Sequence, residues 1–379
     1  MIPVNEPVLT DKDFEFLKDA FTSGWISSAG KYIEEFEQNW AEYCGMRYGI
    51  SVSNGTAAIQ LALDAAGIGV GDEVIMPSFT IISCGQAVTN LGAIPVLVDS
   101  DVNTWCMDVT SIESRVTKKT KAIMVVHMYG HPVDMDVVMA IAKKHNILVV
   151  EDAAEVHGAK YLSNRGTSSE EWLVCGGIGD ISTFSFFANK LITTGEGGMV
   201  LTSDSGINDR ATMLRNLCFN NERRFRHYEL GYNYRLTNMQ AAIGVSQIQR
   251  IEEIVERKIE IGRYYQEQLS QIEGIQLQKQ ESWAKGVFWI NGLVLSDSLN
   301  CTAEKFCDEL RKLGVDTRPF FLGMHEQPVF ASKGLFIGEK YPVSERIAKQ
   351  GFYLPSGLSL TIDQVDEVIN SFKLVMEKI

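Results

Sequence analysis

Positive charge is scarce in this sequence. Its 379 residues include 35 lysines and arginines against 48 aspartates and glutamates, and the formal net charge is −13. Binding to nucleic acids without regard to base sequence needs a basic surface, and so does docking on anionic membranes. The net charge therefore argues against both classes of function. An anionic small molecule could still be held by backbone N–H groups and a few arginines.

Signals for export, membrane insertion and disulfide or metal chemistry are also missing. The amino-terminal residues have no basic stretch before a long apolar run, and no apolar run approaches the length of a membrane span. The seven cysteines form no CxxC pair, which is typical of a reduced cytoplasmic protein with free thiols. His127 and His131 are four residues apart, but Gly130 and Pro132 disfavour a helix there, so we expect no metal site.

The order of apolar runs predicts an α/β protein of two domains. A chain of this length exceeds what one hydrophobic core usually serves. Residues 122–127 (AIMVVH) and 147–151 (ILVVE) are continuous apolar runs, as in parallel strands buried on both faces. Residues 235–270 form one long amphipathic helical pattern, and a mixed α+β stretch follows. We therefore predict a large domain over residues 1–245, with a mostly parallel sheet covered by helices, and a small α+β domain over 246–379.

Polar motifs follow the predicted strands, at the sheet edge where ligands of such folds bind. The turn 53–56 (SNGT) opens a helix. The free N–H groups of a helix start suit a phosphate, although a plain helix cap has the same pattern. Asp152 begins where an apolar strand ends. It could cap a helix, or it could hold a proton on the nitrogen of a heterocycle.

One lysine, Lys190, lies among aromatic and small residues in the segment 185–190 (SFFANK). A buried lysine is costly unless it is paired or reactive, so its apolar neighbours disfavour the alternative of a lysine on a surface loop. The glycine-rich turn 193–198 (TTGEGG) would let the backbone pass close to a ligand. A lysine that forms a Schiff base and an aspartate that keeps a pyridine nitrogen protonated match the needs of pyridoxal 5′-phosphate (PLP).

These motifs, in this order, resemble the DegT/DnrJ/EryC1/StrS family of sugar aminotransferases. The resemblance starts at SGWISS (23–28), ends at RPFF (318–321), and passes through SNGTAA, GDEVIMPSFT, EDAAEVHGA, GDISTFSFFANKLITTGEGGM and GYNYRLTNMQAAIG. Within the family the chain is most similar to the enzymes that make GDP-perosamine. The resemblance implies the fold of aspartate aminotransferase (PLP enzyme fold type I), PLP as cofactor, and a homodimer with shared active sites.

The resemblance also implies roles for particular residues. Lys190 matches the catalytic lysine that binds the cofactor covalently, and Asp152 matches the partner of the pyridine nitrogen. Glu155 lies where the family has glutamine or glutamate against the ring hydroxyl. The positions that bind the cofactor phosphate are matched by Gly55, Thr56 and Ser185.

Further positions are expected at the subunit boundary or near the sugar. Asn233 and Arg235 match a motif that reaches the active site of the other subunit, where Asn233 would contact the cofactor and Arg235 the substrate. Trp25, Arg318 and His325 are the remaining predicted substrate contacts.

Two features depart from the family pattern. Ile81 stands where an aromatic residue commonly stacks on the cofactor ring, so an aliphatic contact would replace the stacking. Residues 163–176 are longer than the usual turn, and could form a lid, an interface loop or a tolerated surface insertion.

A basic cluster could meet the diphosphate of the substrate or simply be solvated; it comprises Arg223, Arg224 and Arg226.

The function implied is the transfer of an amino group from L-glutamate to a keto sugar carried by a nucleotide. The similarity to the perosamine enzymes favours a GDP-linked 4-keto-6-deoxy sugar, for O-antigen or another surface polysaccharide, with a UDP- or dTDP-linked sugar as the alternative. A PLP sugar dehydratase is disfavoured, because such relatives have histidine in place of Lys190. A PLP-binding regulatory protein without turnover stays open, although no DNA-binding segment supports it.

Overall fold

The computed structural model describes residues 1–220 and 222–379. Helices and strands alternate through the first half of the chain, and their bounds follow the apolar periodicity. The α-helices are α1 (Asp11–Thr22), α2 (Lys31–Cys44), α3 (Gly55–Ala65), α4 (Ile82–Asn90), α5 (Met135–His145), α6 (Ser205–Arg215), α7 (Asn238–Ile248), α8 (Ile251–Leu269), α9 (Ala303–Lys312), α10 (Pro328–Ala331), α11 (Pro342–Gln350) and α12 (Ile362–Met376). The strands are β1 (Tyr48–Val52), β2 (Glu73–Pro77), β3 (Ile94–Val98), β4 (Thr120–Val126), β5 (Leu148–Asp152), β6 (Lys160–Ser163), β7 (Glu171–Val174), β8 (Ile181–Ser185), β9 (Gly198–Thr202), β10 (Ile275–Leu277), β11 (Ala284–Lys285), β12 (Asn291–Leu295), β13 (Arg318–Pro319) and β14 (Gly351–Leu354).

Seven strands form the large central sheet, in the order β1-β9-β8-β5-β4-β2-β3. The pairs from β8 to β3 are parallel, whereas β9 is antiparallel to both β8 and β1. Six of the seven residues of β4 are buried, and so are all five of β9. Burial on both faces explains why these strands are continuous apolar runs in the sequence. The predicted α/β class with a mostly parallel sheet is confirmed.

A second, antiparallel sheet is built from the carboxyl-terminal third, in the order β10-β12-β14-β13. Its core includes Phe306, whose ring centroid lies 5.4 Å from that of Phe352 and 4.9 Å from that of Phe372. The first residues of the chain pack here too, since the Ile2 N–H donates to the Gly314 carbonyl at 2.7 Å. The predicted α+β character of this region is therefore present, with an amino-terminal addition.

The helical pattern over residues 235–270 is two helices rather than one. The first, α7, starts at a capping box in which Thr237 and Gln240 satisfy each other's backbone N–H groups. It ends at Ile248, and α8 begins at Ile251 after Arg250 leaves helical geometry. The Arg250 guanidinium bonds the buried Asp13 carboxylate of α1 at 3.1 Å. Neither glycine nor proline marks this break, so only the tertiary contact locates it. Among the described residues, no helix is both long enough and apolar enough to cross a membrane.

The segment 163–176 forms the tip and return strand of a hairpin. Strands β6 and β7 pair antiparallel, and β11 adds to β6, giving a small three-stranded sheet. Arg165 holds the hairpin turn to the body of the protein, because its guanidinium contacts Asp134 at 2.5 Å and Asp136 at 3.4 Å. The same guanidinium lies 5.1 Å from the ring centroid of Trp283. The insertion is therefore an anchored hairpin.

Candidate active site

A cavity of about 740 Å³ opens at the carboxyl ends of β4, β5 and β8. The starts of α3 and α4 border it on one side, and residues of the carboxyl-terminal third border it on the other. This is the sheet edge at which the sequence predicts ligand binding. The polar and aromatic residues that line it are Ser53, Asn54, Thr56, Ser83, Asp152, Glu155, Thr183, Phe184, Ser185, Phe187, Asn189, Lys190, Glu196, Tyr234, Trp289, Phe321 and Tyr353.

Asp152 is the last residue of β5, and its carboxylate is buried at the floor of the cavity. One oxygen, Oδ1, accepts the Ala154 N–H at 3.1 Å, and Oδ2 accepts the Cys84 thiol at 3.2 Å. Burial raises the pKa of Asp152, against the opposing effect of these two donors and of the nearby lysine. Each oxygen already has a protein donor and still has acceptor capacity, so the carboxylate can also receive an N–H from a ligand.

Lys190 lies in the turn that follows β8, and its side chain enters the same cavity. Its ammonium nitrogen is 3.7 Å from the ring centroid of Trp289. Trp289 also stabilises the turn, because its indole N–H donates to the Asn189 carbonyl at 2.9 Å. Burial lowers the pKa of Lys190, although Glu155 and Asp152 act in the other direction. A lysine with a lowered pKa supplies neutral amine, which is the nucleophilic form.

Glu155 is a second buried carboxyl group beside Lys190. Its Oε2 accepts the Tyr129 N–H at 2.7 Å. Burial raises the pKa of Glu155 to about 7. The group can therefore exchange its proton near neutral pH, and in its acid form it can donate to an anionic oxygen of a ligand.

His157 belongs to the same acidic motif but lies outside the cavity. Its Nδ1 accepts the Ile192 N–H at 3.2 Å, and its ring packs against Trp40 at 5.2 Å between centroids. Burial lowers the pKa of His157 to about 3, so the ring is neutral. It supports the segment after Lys190 from the core side.

The amino terminus of α3 forms a cradle suited to an anion. Asn54 caps this helix, since its side chain accepts the Ala57 N–H at 2.8 Å. Gly55 approaches β8 so closely that a Cβ there would lie 2.7 Å from the Ser185 Cβ. The Thr56 hydroxyl lies 2.8 Å from the Ser83 hydroxyl of α4. Free N–H groups, a helix dipole and several hydroxyls in one place fit a phosphate group.

Several lining residues have no signal in the sequence motifs. Ser83 follows the predicted PSFT segment, and only its contact with Thr56 reveals it. Trp289 and Tyr353 come from the carboxyl-terminal third and reach the cavity through the packing of that region on the central sheet. Phe321 belongs to the RPFF motif, but the residue of that motif predicted to contact the substrate was Arg318. Ile81 lines the cavity, with 36% of its surface exposed, and its predicted contact with the cofactor ring stays a prediction.

Five predicted residues do not line this cavity in the single chain. Trp25 is 60% exposed, and Asn233 is exposed as well. Arg235 bonds the Asn216 side chain at 2.8 Å, and Arg318 is paired with a neighbouring aspartate at 2.7 Å. His325 is buried between two partners, at 2.8 Å and 3.2 Å, that lie behind the cavity wall: Ser78 and Glu345. Their predicted roles toward the cofactor or substrate stay predictions.

The two other sequence features also lie apart from the cavity. No described residue of the hairpin 163–176 is among those that line it. The arginines of the basic cluster are exposed and lie near aromatic rings, with Arg224 at 4.9 Å from Phe219 and Arg226 at 5.0 Å from Tyr228. No described group of three or more histidine, cysteine, aspartate or glutamate side chains is arranged to hold a metal ion.

Comparison with known proteins agrees with the geometry. The profile of the DegT/DnrJ/EryC1/StrS aminotransferase family matches residues 7–373. GDP-perosamine synthase of Escherichia coli O157:H7 is 42% identical over 379 residues, which cover 98% of this chain and 98% of that protein. GDP-perosamine synthase of Caulobacter vibrioides is 40% identical over 377 residues, with 99% and 98% covered.

A solved structure gives the same result. DesV of S. venezuelae, in complex with a ketimine intermediate, is 31% identical and has a TM-score of 0.88, over 97% of this chain and 95% of that chain. The lysine, the buried carboxylate and the anion cradle lie in one cavity and fit PLP. The predicted family, fold class and cofactor are confirmed. The chain belongs to the DegT/DnrJ/EryC1/StrS aminotransferase family and is a PLP-dependent sugar aminotransferase.

Proposed function

We propose that this enzyme moves an amino group from L-glutamate to the 4-keto carbon of a GDP-linked 4-keto-6-deoxy sugar, for O-antigen or another surface polysaccharide. The observation that carries the proposal is the convergence of Lys190, Asp152 and the α3 cradle on one cavity. Two GDP-perosamine synthases at 42% and 40% identity over nearly the full chain support the choice of sugar nucleotide. All seven cysteines are free thiols, which suits the reducing cytoplasm in which we place the reaction.

Lys190 would act as covalent anchor and as proton carrier. Bound PLP supplies an electron sink that stabilises a carbanion beside the amino nitrogen. The Lys190 Nζ, once an amino donor has displaced it, would take a proton from the donor carbon and return it on the cofactor side. That role requires neutral amine, which burial of the side chain favours.

The two carboxyl groups would have different tasks. Asp152, at the end of β5, would hold the proton of the pyridine nitrogen, because a buried ionised carboxylate favours a cation beside it. Glu155 would face the ring hydroxyl, where a group with a pKa of about 7 can share a proton with an oxygen. The phosphate would sit at the α3 start, against Gly55, Thr56 and Ser185, with Ser83 supporting Thr56.

A homodimer would complete the site. Several large apolar side chains are exposed in the single chain near the predicted cross-subunit residues, including Phe225 at 79%, Tyr228 at 72% and Leu230 at 91%. Several exposed large apolar side chains in one short segment favour a protein interface. We propose that Asn233 and Arg235 reach the neighbouring cavity from this segment. Sedimentation of the purified protein measures the oligomeric state directly.

The test uses Lys190→Ala, with Lys285→Ala as the matched control outside the cavity. Purified proteins are given PLP, and the visible absorption band is recorded before and after adding glutamate. We expect the Lys190 variant to lose both the band and turnover, while the control keeps both. Retained turnover in Lys190→Ala would defeat the assignment.

The same protein separates the remaining alternatives. A visible band that does not respond to glutamate would favour a PLP-binding regulatory protein. Keto sugars linked to GDP, UDP and dTDP are then compared by kcat/KM, and we expect the GDP-linked sugar to be preferred. A higher kcat/KM with UDP or dTDP would replace our choice of nucleotide while leaving the aminotransferase reaction intact.

A further inference from the structure

The thiol of Cys84 lies directly against the Asp152 carboxylate. Cys84 is the third residue of α4, and its side chain is fully buried. Its Sγ is 3.2 Å from Asp152 Oδ2, while the other oxygen, Oδ1, accepts the Ala154 N–H at 3.1 Å. The Thr80 hydroxyl lies 3.6 Å from the same sulfur. The carboxylate is thus held by one donor on each oxygen.

We propose that Cys84 is a positioning residue for the reaction, whose S–H bond orients the Asp152 carboxylate and keeps it ionised toward the ring nitrogen of PLP. This inference rests on the proposed function, in which Asp152 pairs with that nitrogen. Cys84 is not among the residues that line the cavity, so its effect would pass through Asp152.

The thiol stays protonated in this environment. Burial and the charge of Asp152 raise the pKa of Cys84 well above its ordinary value, so the proton belongs to the sulfur and the group is a neutral donor. Two further groups, Lys190 and His127, favour the ionised form of Asp152. The carboxylates of Glu155 and Asp152 repel each other, so Glu155 acts in the opposite direction. The thiol is therefore one of several groups around the Asp152 carboxylate that together set its pKa, and its hydrogen bond lowers that pKa.

Loss of the thiol donor should raise the pKa of Asp152. A carboxylate with fewer donors binds a proton more tightly, so the shared proton shifts from the ring nitrogen toward Asp152. A less protonated ring withdraws fewer electrons from the nitrogen joined to Lys190, which then keeps its own proton to higher pH. The visible absorption band reports that proton. A purely structural role for Cys84 would lower stability without moving the pH midpoint of the band.

The test compares four variants of the full-length enzyme loaded with PLP. Cys84→Ala removes the donor, and Cys84→Val removes it while filling the space. Cys84→Ser restores a donor, although its oxygen would lie slightly farther from the Asp152 carboxylate than the sulfur does. Cys44→Ala is the control for loss of a buried sulfur away from the cavity. The measurements are PLP affinity, the pH midpoint of the visible band, and kcat separately from KM.

For Cys84→Ala and Cys84→Val we expect PLP binding about three- to tenfold weaker, the size of effect expected for loss of one hydrogen bond of ordinary strength, with a raised pH midpoint and a lowered kcat. Cys84→Ser should recover most of each change, and Cys44→Ala should match the unmodified enzyme. An unchanged midpoint in both donor-less variants, or no recovery by serine, would overturn the inference. Failure of the unmodified enzyme to bind PLP would instead overturn the proposed function.

Discussion

The close approach of Gly55 to β8 can be tested by a single methyl group. In Gly55→Ala, the new Cβ would lie 2.7 Å from the Ser185 Cβ and 3.3 Å from its Cα. The first distance is too short for real carbon atoms, and the neighbouring atoms belong to a strand of the central sheet. Either α3 or the end of β8 must shift. Both elements form the predicted phosphate cradle.

Two effects on stability oppose each other in this variant. Alanine is better than glycine in a helix by about 1 kcal/mol in interior positions, and by less at a helix start. Overpacking against a rigid neighbour costs about 1–3 kcal/mol. We therefore expect a modest net loss of unfolding free energy in the apoprotein, between about zero and 2 kcal/mol.

The effect on the cofactor should be larger than the effect on the fold. Displacing one charge-assisted hydrogen bond to the phosphate costs about 1.5–3 kcal/mol, which raises the dissociation constant of PLP roughly ten- to hundredfold. The assays are urea unfolding of the apoprotein and absorbance titration with PLP. Gly69→Ala is the matched control, since a Cβ there meets nothing within 4 Å. PLP binding by Gly55→Ala as tight as in the unmodified enzyme would refute the assignment of this cradle.

Two further predictions concern charge. Burial raises the pKa of Glu155 to about 7, so the folded state holds this proton more tightly than the unfolded state. Its contribution to stability is present at acidic pH and is lost as pH rises through about 7. Glu155→Gln should therefore flatten the fall in the urea midpoint of the apoprotein between acidic and alkaline pH, and an unchanged slope would contradict the pKa assignment. Arg165→Ala should destabilise the hairpin by about 1–2 kcal/mol through lost ion pairs and packing, without changing kcat or KM. Altered kinetics would show that the hairpin 163–176 acts as a lid or interface loop after all.

Sequence reasoning succeeded where chemistry and local order coincide. Lys190 and Asp152 each follow an apolar run, and the carboxyl ends of neighbouring parallel strands meet at one sheet edge. Their predicted convergence is what the structure shows, since both line the same cavity. The cap at Asn54 likewise depends only on residues three positions apart. The division of the chain at residue 245 stays a prediction.

Contacts between distant segments were not readable in the same way. The break between α7 and α8 has no glycine or proline, and it coincides with an ion pair between Arg250 and Asp13. His325 follows a motif expected near the sugar, yet the structure buries it against Ser78, 247 positions away. No periodicity or spacing carries information about such pairs.

By itself, the sequence determined the class of fold and the cofactor, and it predicts which lysine binds that cofactor. Those follow from the apolar period of each element and from residue types whose chemistry is uncommon, which are local properties. Only the tertiary structure decided which neighbours contact Lys190 and Asp152 and shift their pKa values. Cys84 reaches Asp152 across 68 positions, and Trp289 reaches Lys190 across 99, because the sheet and the carboxyl-terminal region fold together. Burial, and the pKa shifts that follow from it, exist only in that packed state.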